Sequence, residues 1–124
     1  LDLSILSLHH IQLCVPHEAE EKAREFYLEM LGFEEIKKPA SLLKNGGFWC
    51  KAANVELHIG LENMEHANSK RHPAFQVEDL EAARFLLAKN HIRIQEETAI
   101  PGLNRFSFFD PFGNRIELLQ FEKA

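Results

Sequence analysis

Four side chains carry the chemistry offered by this sequence: His10, His58, His72 and Glu117. Three imidazoles and a carboxylate make a normal ligand set for a divalent transition metal, since neutral His nitrogen and carboxylate oxygen suit Zn, Ni, Co, Fe or Mn. The four are dispersed and have no motif spacing, so the argument rests on strand parity: alternate residues of a strand share a face. Each of them lies opposite the Ile, Leu, Val or Phe face of its strand. The bland reading of the same residues is a polar, water-filled cleft without metal.

Glu117 belongs to RFSFFDPFGNRIELLQF, two extended runs at 105–109 and 115–121 around Asp110-Pro111-Phe112-Gly113-Asn114. Pro presets φ and Gly or Asn tolerates its positive range, so the stretch is a β-hairpin. Ile116 and Leu118 take one face of the second arm, and Arg115, Glu117 and Leu119 take the other. A mid-strand carboxylate is costly unless water, a cation or a metal satisfies it.

The other elements follow from periodicity. Residues 8–15 alternate, with Ile11, Leu13 and Val15 opposite His10, Gln12 and Cys14. A helix is expected over 18–31, from Ala19, Ala23, Phe26, Tyr27, Met30 and Leu31 at helical spacing, with Gly32 as its stop. Short strands are expected at 33–36, 40–44, 47–51 and 55–60, with Asn45-Gly46 as a hairpin turn and 62–71 as a polar connector. The pattern then restarts. Pro73, Phe75 and Val77 stand opposite His72, Ala74 and Gln76, and Asp79 caps a helix over 80–89 whose apolar side includes Leu80, Ala83, Phe85, Leu86 and Leu87. Asn90 takes the place of Gly32, and a strand at 92–94 precedes the final hairpin.

These restarts superimpose. His10-x-x-Leu13-x-Val15 matches His72-x-x-Phe75-x-Val77, and Phe26 stands as far from Phe85 as His58 stands from Glu117. One β-α-β-β-β unit occurs twice, as modules of about 8–61 and 71–122 within a single α+β domain.

Composition bounds the partners. The formal charge of −5 argues against nucleic acid or an anionic membrane, whose phosphates would be repelled on average. Cys14 and Cys50 form no metal-type spacing and too few pairs for a disulfide scaffold, which fits a reducing cytoplasm. His9 points to the apolar side as a structural histidine, while His17, His66 and His91 are expected to be solvated.

In the order HHIQLCV, FYLEMLGF, VELHIG, HPAFQVEDL and RFSFFDPFGNRIEL, the sequence resembles the vicinal oxygen chelate superfamily, which contains glyoxalase I, fosfomycin-resistance transferases, bleomycin-resistance proteins and extradiol dioxygenases. The resemblance implies an eight-stranded cleft made of two modules, commonly paired across a homodimer. In metal-binding members the ligands come from the positions of His10, His58, His72 and Glu117; glyoxalase I more often has a carboxylate where His58 stands. The shared chemistry is chelation of neighbouring oxygens of a small substrate. It implies Glu117 as a base, Arg105, Arg115 and Gln76 as contacts for an anionic substrate, and Trp49 and Phe48 as an aromatic wall, of which a regular strand turns only one to the cleft. Three functions follow: a glyoxalase-type isomerase, lyase or small-molecule transferase; a metal-free bleomycin-resistance-like binding protein; and, third, a ring-cleaving dioxygenase, whose members usually carry four modules.

Overall fold

The computed structural model describes residues 2–64 and 69–123; His66 and the middle of the polar connector lie outside the described residues. The chain divides into two compact units, Leu1–Glu65 and His66–Ala124.

Unit 1 is a four-stranded mixed sheet in the order β1-β4-β3-β2, from β1 (Ile11–Val15), β2 (Glu34–Ile36), β3 (Phe48–Ala52) and β4 (Val55–Leu61). Unit 2 repeats that order as β5-β8-β7-β6, from β5 (Ala74–Gln76), β6 (Ile94–Glu96), β7 (Leu103–Phe109) and β8 (Arg115–Phe121). In each unit the first and last strands pair in parallel and the other pairs are antiparallel. The register preserves the repeat, since Gln12 faces His58 and Ala74 faces Glu117. The duplicated β-α-β-β-β reading and the α+β class therefore hold.

The helices pack by the residues that periodicity assigns to them, with local differences. The first is a 3-10 turn (His17–Ala19), then α1 (Glu20–Arg24), then a π-helical segment (Glu25–Met30). Ala19, Ala23, Phe26 and Tyr27 are buried from it, and Gly32, at φ +86°, ends it as expected. In the second helix, α2 (Leu80–Lys89), Asp79 accepts a hydrogen bond from the Ala82 amide at 3.1 Å. Its terminus differs from expectation: Asn90 keeps a negative φ, and His91, at φ +62°, takes the left-handed place of Gly32. Phe85 also differs. It is 72% exposed, whereas its counterpart Phe26 is 5% exposed, because α2 turns Leu80 and Leu87 inward instead.

Each helix is tied to its sheet by one arginine in the same way. Arg24 lies 4.7 Å over the Phe48 ring and pairs with Glu35 at 2.7 Å. Arg84 lies 4.9 Å over the Phe106 ring and pairs with Glu96 at 2.6 Å. A guanidinium on an aromatic face adds electrostatic attraction to packing.

Other boundaries also shift. The stretch expected as a strand at 40–44 is a 3-10 helix, Ala40–Asn45, because Pro39 starts it and none of its residues is buried to reward alternation. Asn45-Gly46 is accordingly no hairpin turn; Gly46 ends that helix at φ +72°, and the β3–β4 turn falls at Ala53-Asn54. β1 begins at Ile11, so His10 immediately precedes it. The strand expected at 92–94 starts later, at Ile94, after the Ile92 amide has bonded back to Leu87 in α2.

Candidate functional site

The parallel strand pairs place the chemistry. Because Gln12 faces His58, the side chain two residues earlier, His10, lies on the same face as His58. The two rings stack with centroids 4.0 Å apart and 15° between planes. Trp49, opposite His58 on β3, stacks on it at 3.9 Å and 4°. His58 is therefore the middle slab of three and only 4% exposed. Phe48, the neighbour of opposite parity, lies in the core of unit 1.

His58 Nε2 lies 2.7 Å from Glu56 Oε2, two residues away on the same strand face. Burial pushes the His58 imidazole below its usual range, the Glu56 hydrogen bond opposes this, and His10 lowers it further. The same hydrogen bond holds the Glu56 carboxyl below the usual carboxylate range. His9 is exposed and not turned to an apolar face; its Nδ1 lies 2.9 Å from His10 Nδ1. His17 and His91 are exposed.

Unit 2 builds a different group on the equivalent strands. His72 Nε2 lies 3.0 Å from Glu117 Oε1, and Arg105 Nη1 is 3.3 Å from the same oxygen. Glu117, 6% exposed, is thus held by two cationic or donor groups. Arg105 is itself fixed by the Thr98 carbonyl, to which it donates from Nε at 3.2 Å and Nη2 at 2.8 Å. Arg115 pairs at 2.6 Å with Glu97, which also accepts from the buried Ser107 hydroxyl at 2.6 Å. Ser107, then Arg115, hold the Glu97 carboxyl below its usual range. Gln76 is exposed at the end of β5 and faces Leu119.

The structure therefore brings His10, His58 and Trp49 together in unit 1, and His72, Glu117 and Arg105 in unit 2. Arg115 is directed to Glu97 instead. Within neither unit, among the described residues, do three or more His, Cys, Asp or Glu side chains gather to hold a metal.

Each unit offers a pair of side chains, His10 with His58 and His72 with Glu117, whose residue types suit a divalent cation. His72 Nδ1 lies 2.8 Å from the Lys70 carbonyl, an acceptor only, so Nδ1 carries the proton. Nε2 then presents its lone pair to a carboxylate, and the two acceptors are reconciled by a proton or a metal ion. The 3.0 Å between them is a hydrogen-bond separation, and both atoms are of types that would serve as ligands to a divalent cation. A backbone acceptor behind a histidine ligand is the usual device for fixing its tautomer.

Glu56, Glu97, Ser107 and Lys38 escape sequence reading as site residues. Glu56 had a signal, its parity with His58 in VELHIG. Glu97 lies just beyond the end of β6, where periodicity carries no information.

A pocket of about 370 Å³ opens in unit 1, lined among others by His10, Gln12, Lys38, Leu42, Trp49 and His58. Neither cysteine forms a disulfide among the described residues; burial pushes the Cys50 thiol up to about 12, with Glu35 adding to the shift. No helix among the described residues is long and apolar enough to cross a membrane.

Comparison with known proteins agrees with the duplicated fold. A crystal structure of a protein assigned to the glyoxalase family, from Bacillus anthracis, is 40% identical, with TM-score 0.90 over 98% of this chain and 100% of that one. The uncharacterized protein YaeR of Escherichia coli strain K12 is 29% identical over 95% of this chain and 98% of its own length. The fosfomycin resistance protein FosX of Listeria monocytogenes, solved with Mn(II) and sulfate, is 20% identical, with TM-score 0.77 over 95% of this chain and 92% of that one, a likeness of fold alone. Residues 7–118 match the family described as the Glyoxalase/Bleomycin resistance protein/Dioxygenase superfamily, and the chain belongs to it.

Proposed function

We propose that the protein is a glyoxalase-type, metal-dependent enzyme, an isomerase, lyase or small-molecule transferase acting on a compact substrate with neighbouring oxygens. The observation that carries this reading is His72, whose Nδ1 faces a carbonyl while Nε2 lies 3.0 Å from the Glu117 carboxylate. Such an imidazole needs a cation or a second proton between itself and the carboxylate. His10 and His58 are the further ligands in this proposal, and the metal is one of Zn, Ni, Co, Mn or Fe.

When bound, the ion supplies a Lewis acid for oxygens that gain charge during reaction. The chain's own residues do the rest. Glu117 accepts the substrate proton as base, and Arg105, 3.3 Å away, holds it in orientation. Trp49 supplies an apolar wall, and Gln76 a carboxamide for the substrate. The fold relative FosX carries Mn(II), which makes Mn a natural first metal to try. Assembly as a cytoplasmic homodimer belongs to the same proposal.

The test is the metal content of protein purified without a histidine tag. His72→Ala abolishes metal retention in this account; unchanged content would refute the site. A second reading, metal-free capture of a small molecule, is favoured by the pocket of unit 1, whose walls include Trp49 and Leu42. A chain that takes up no divalent metal but shifts its melting temperature with small ligands would select it.

A further inference from the structure

The pocket of unit 1 is built in a way that specifies charge. Close approaches at three glycines shape it, Gly46 and Gly60 in its lining and Gly47 beside them. A Cβ on Gly47 would stand 2.1 Å from the Ile59 carbonyl oxygen, and one on Gly46 would stand 2.6 Å from Leu61 Cδ1. A Cβ on Gly60 would stand 2.6 Å from Gln12 Nε2, so Gly60 is what lets the Gln12 carboxamide lie across the strand.

Around it stand Leu42, Trp49 and Leu61 as apolar wall and Lys38, Gln12 and Asn45 as polar groups, beside the His10 and His58 rings. The Lys38 ammonium donates to the Gly46 carbonyl at the end of the 3-10 helix, and an ammonium has two further N–H groups to offer. Among the described residues, no Asp or Glu lines the pocket, although the chain has 19 acidic against 14 Lys and Arg. Nearby carboxylates are turned to partners of their own. Glu20 accepts from the Gly47 amide at 2.9 Å, and Glu56 lies 2.7 Å from His58 Nε2. At about 370 Å³ the pocket is at the lower end of the range for small-molecule sites, about 300 to 1,000 Å³.

We propose that this pocket takes a compact organic anion, a carboxylate with a flat apolar body, its charge on Lys38 and the Gln12 and Asn45 carboxamides and its body against Trp49 and Leu42. A cationic compound meets the ammonium and is rejected. The inference rests on the small-molecule part of the proposed function and not on the metal.

Trp49 is the single tryptophan, so its indole N–H resonance in a ¹⁵N-labelled sample reports this pocket alone. The metal-free protein is titrated with phenylacetate, phenylacetamide and phenethylammonium, which share a ring and differ in charge. Phenylacetate should shift the indole resonance saturably, the amide should bind at least about tenfold more weakly, and the cation should leave it in place; a discrimination of that size corresponds to about 1.4 kcal/mol. Lys38→Gln should bring acid and amide to the same affinity, and Gly60→Ala should weaken the acid by displacing Gln12, with melting temperature checking that both variants fold. Equal binding of acid and amide by the native chain, preference for the cation, or no shift with any probe would overturn the proposal. Metal uptake without acid-selective binding defeats this inference alone, and acid-selective binding without metal uptake defeats the metal reading alone.

Discussion

The two units share a scaffold and differ in the chemistry placed on it. Both have the same strand order and the same parallel pairing at the site, and both lay an arginine over a core phenylalanine while pairing it to a glutamate. On that frame, unit 1 carries a stack of His10, His58 and Trp49, an aromatic column with a buried middle. Unit 2 carries His72, Glu117 and Arg105, an ionic cluster around one carboxylate oxygen. The difference teaches that the repeat fixes where a functional side chain stands, while the residue type there decides what the place is for. Unit 1 presents stacked rings at that place, and unit 2 a buried carboxylate with its partners.

The comparison breaks most visibly at the helices. Phe26→Ala empties a buried site and should cost about 3 to 5 kcal/mol, while the same change at Phe85 should stay within about 0.5 kcal/mol. Urea unfolding of both variants checks this; equal costs would mean that α2 packs through Phe85 after all.

Arg24→Ala and Arg84→Ala sharpen the likeness. Each removes a guanidinium from an aromatic face and breaks one partly exposed ion pair, so each should cost about 1 to 2 kcal/mol. The two values should agree, and a large disparity would show that the matched geometry hides unequal roles.

The smallest effect expected is a pH dependence confined to unit 1. Burial lowers the His58 pKa relative to the unfolded chain, so the unfolded state binds more protons as pH falls through the ordinary histidine range of about 6.5. Stability from this group is complete above that range and declines below it. His58→Gln should flatten the difference between denaturation midpoints at pH 7.5 and 5.5; an unchanged difference would place its origin elsewhere.

The duplicated fold was legible because its signals are local. Parity in HHIQLCV, a helical stripe, and the turn residues of DPFGN each act within a few positions, and their repetition at matching separations confirmed the register. Asp110 shows how local such a signal is: its carboxylate accepts from the Phe112 and Asn114 amides at 2.9 and 2.8 Å. What misled was residue type without context. Leu42 and Leu43 read as strand, but Pro39 and the absence of burial made a 3-10 helix. Phe85 read as core because apolarity does not reveal which helix face meets the sheet. Parity brought His10 to His58 and His72 to Glu117 within their units and also marked Glu56 beside His58, yet it could not foresee Glu97 or the Lys70 carbonyl, since hydrogen-bond partners from loops and neighbouring backbone leave no period in a sequence.

The central claim is the proposal that Glu117 and His72 are among the ligands of a metal ion. Its most direct test is calorimetric titration of metal-free, tag-free protein with Mn(II), followed by Zn, Ni, Co and Fe(II), beside the Glu117→Gln variant, which keeps the side chain's shape and removes its charge. Saturable uptake of one ion per site by the native chain, lost in Glu117→Gln and retained in Lys38→Gln, is the result this account predicts. No uptake of any of the five metals, or uptake indifferent to Glu117, would contradict it.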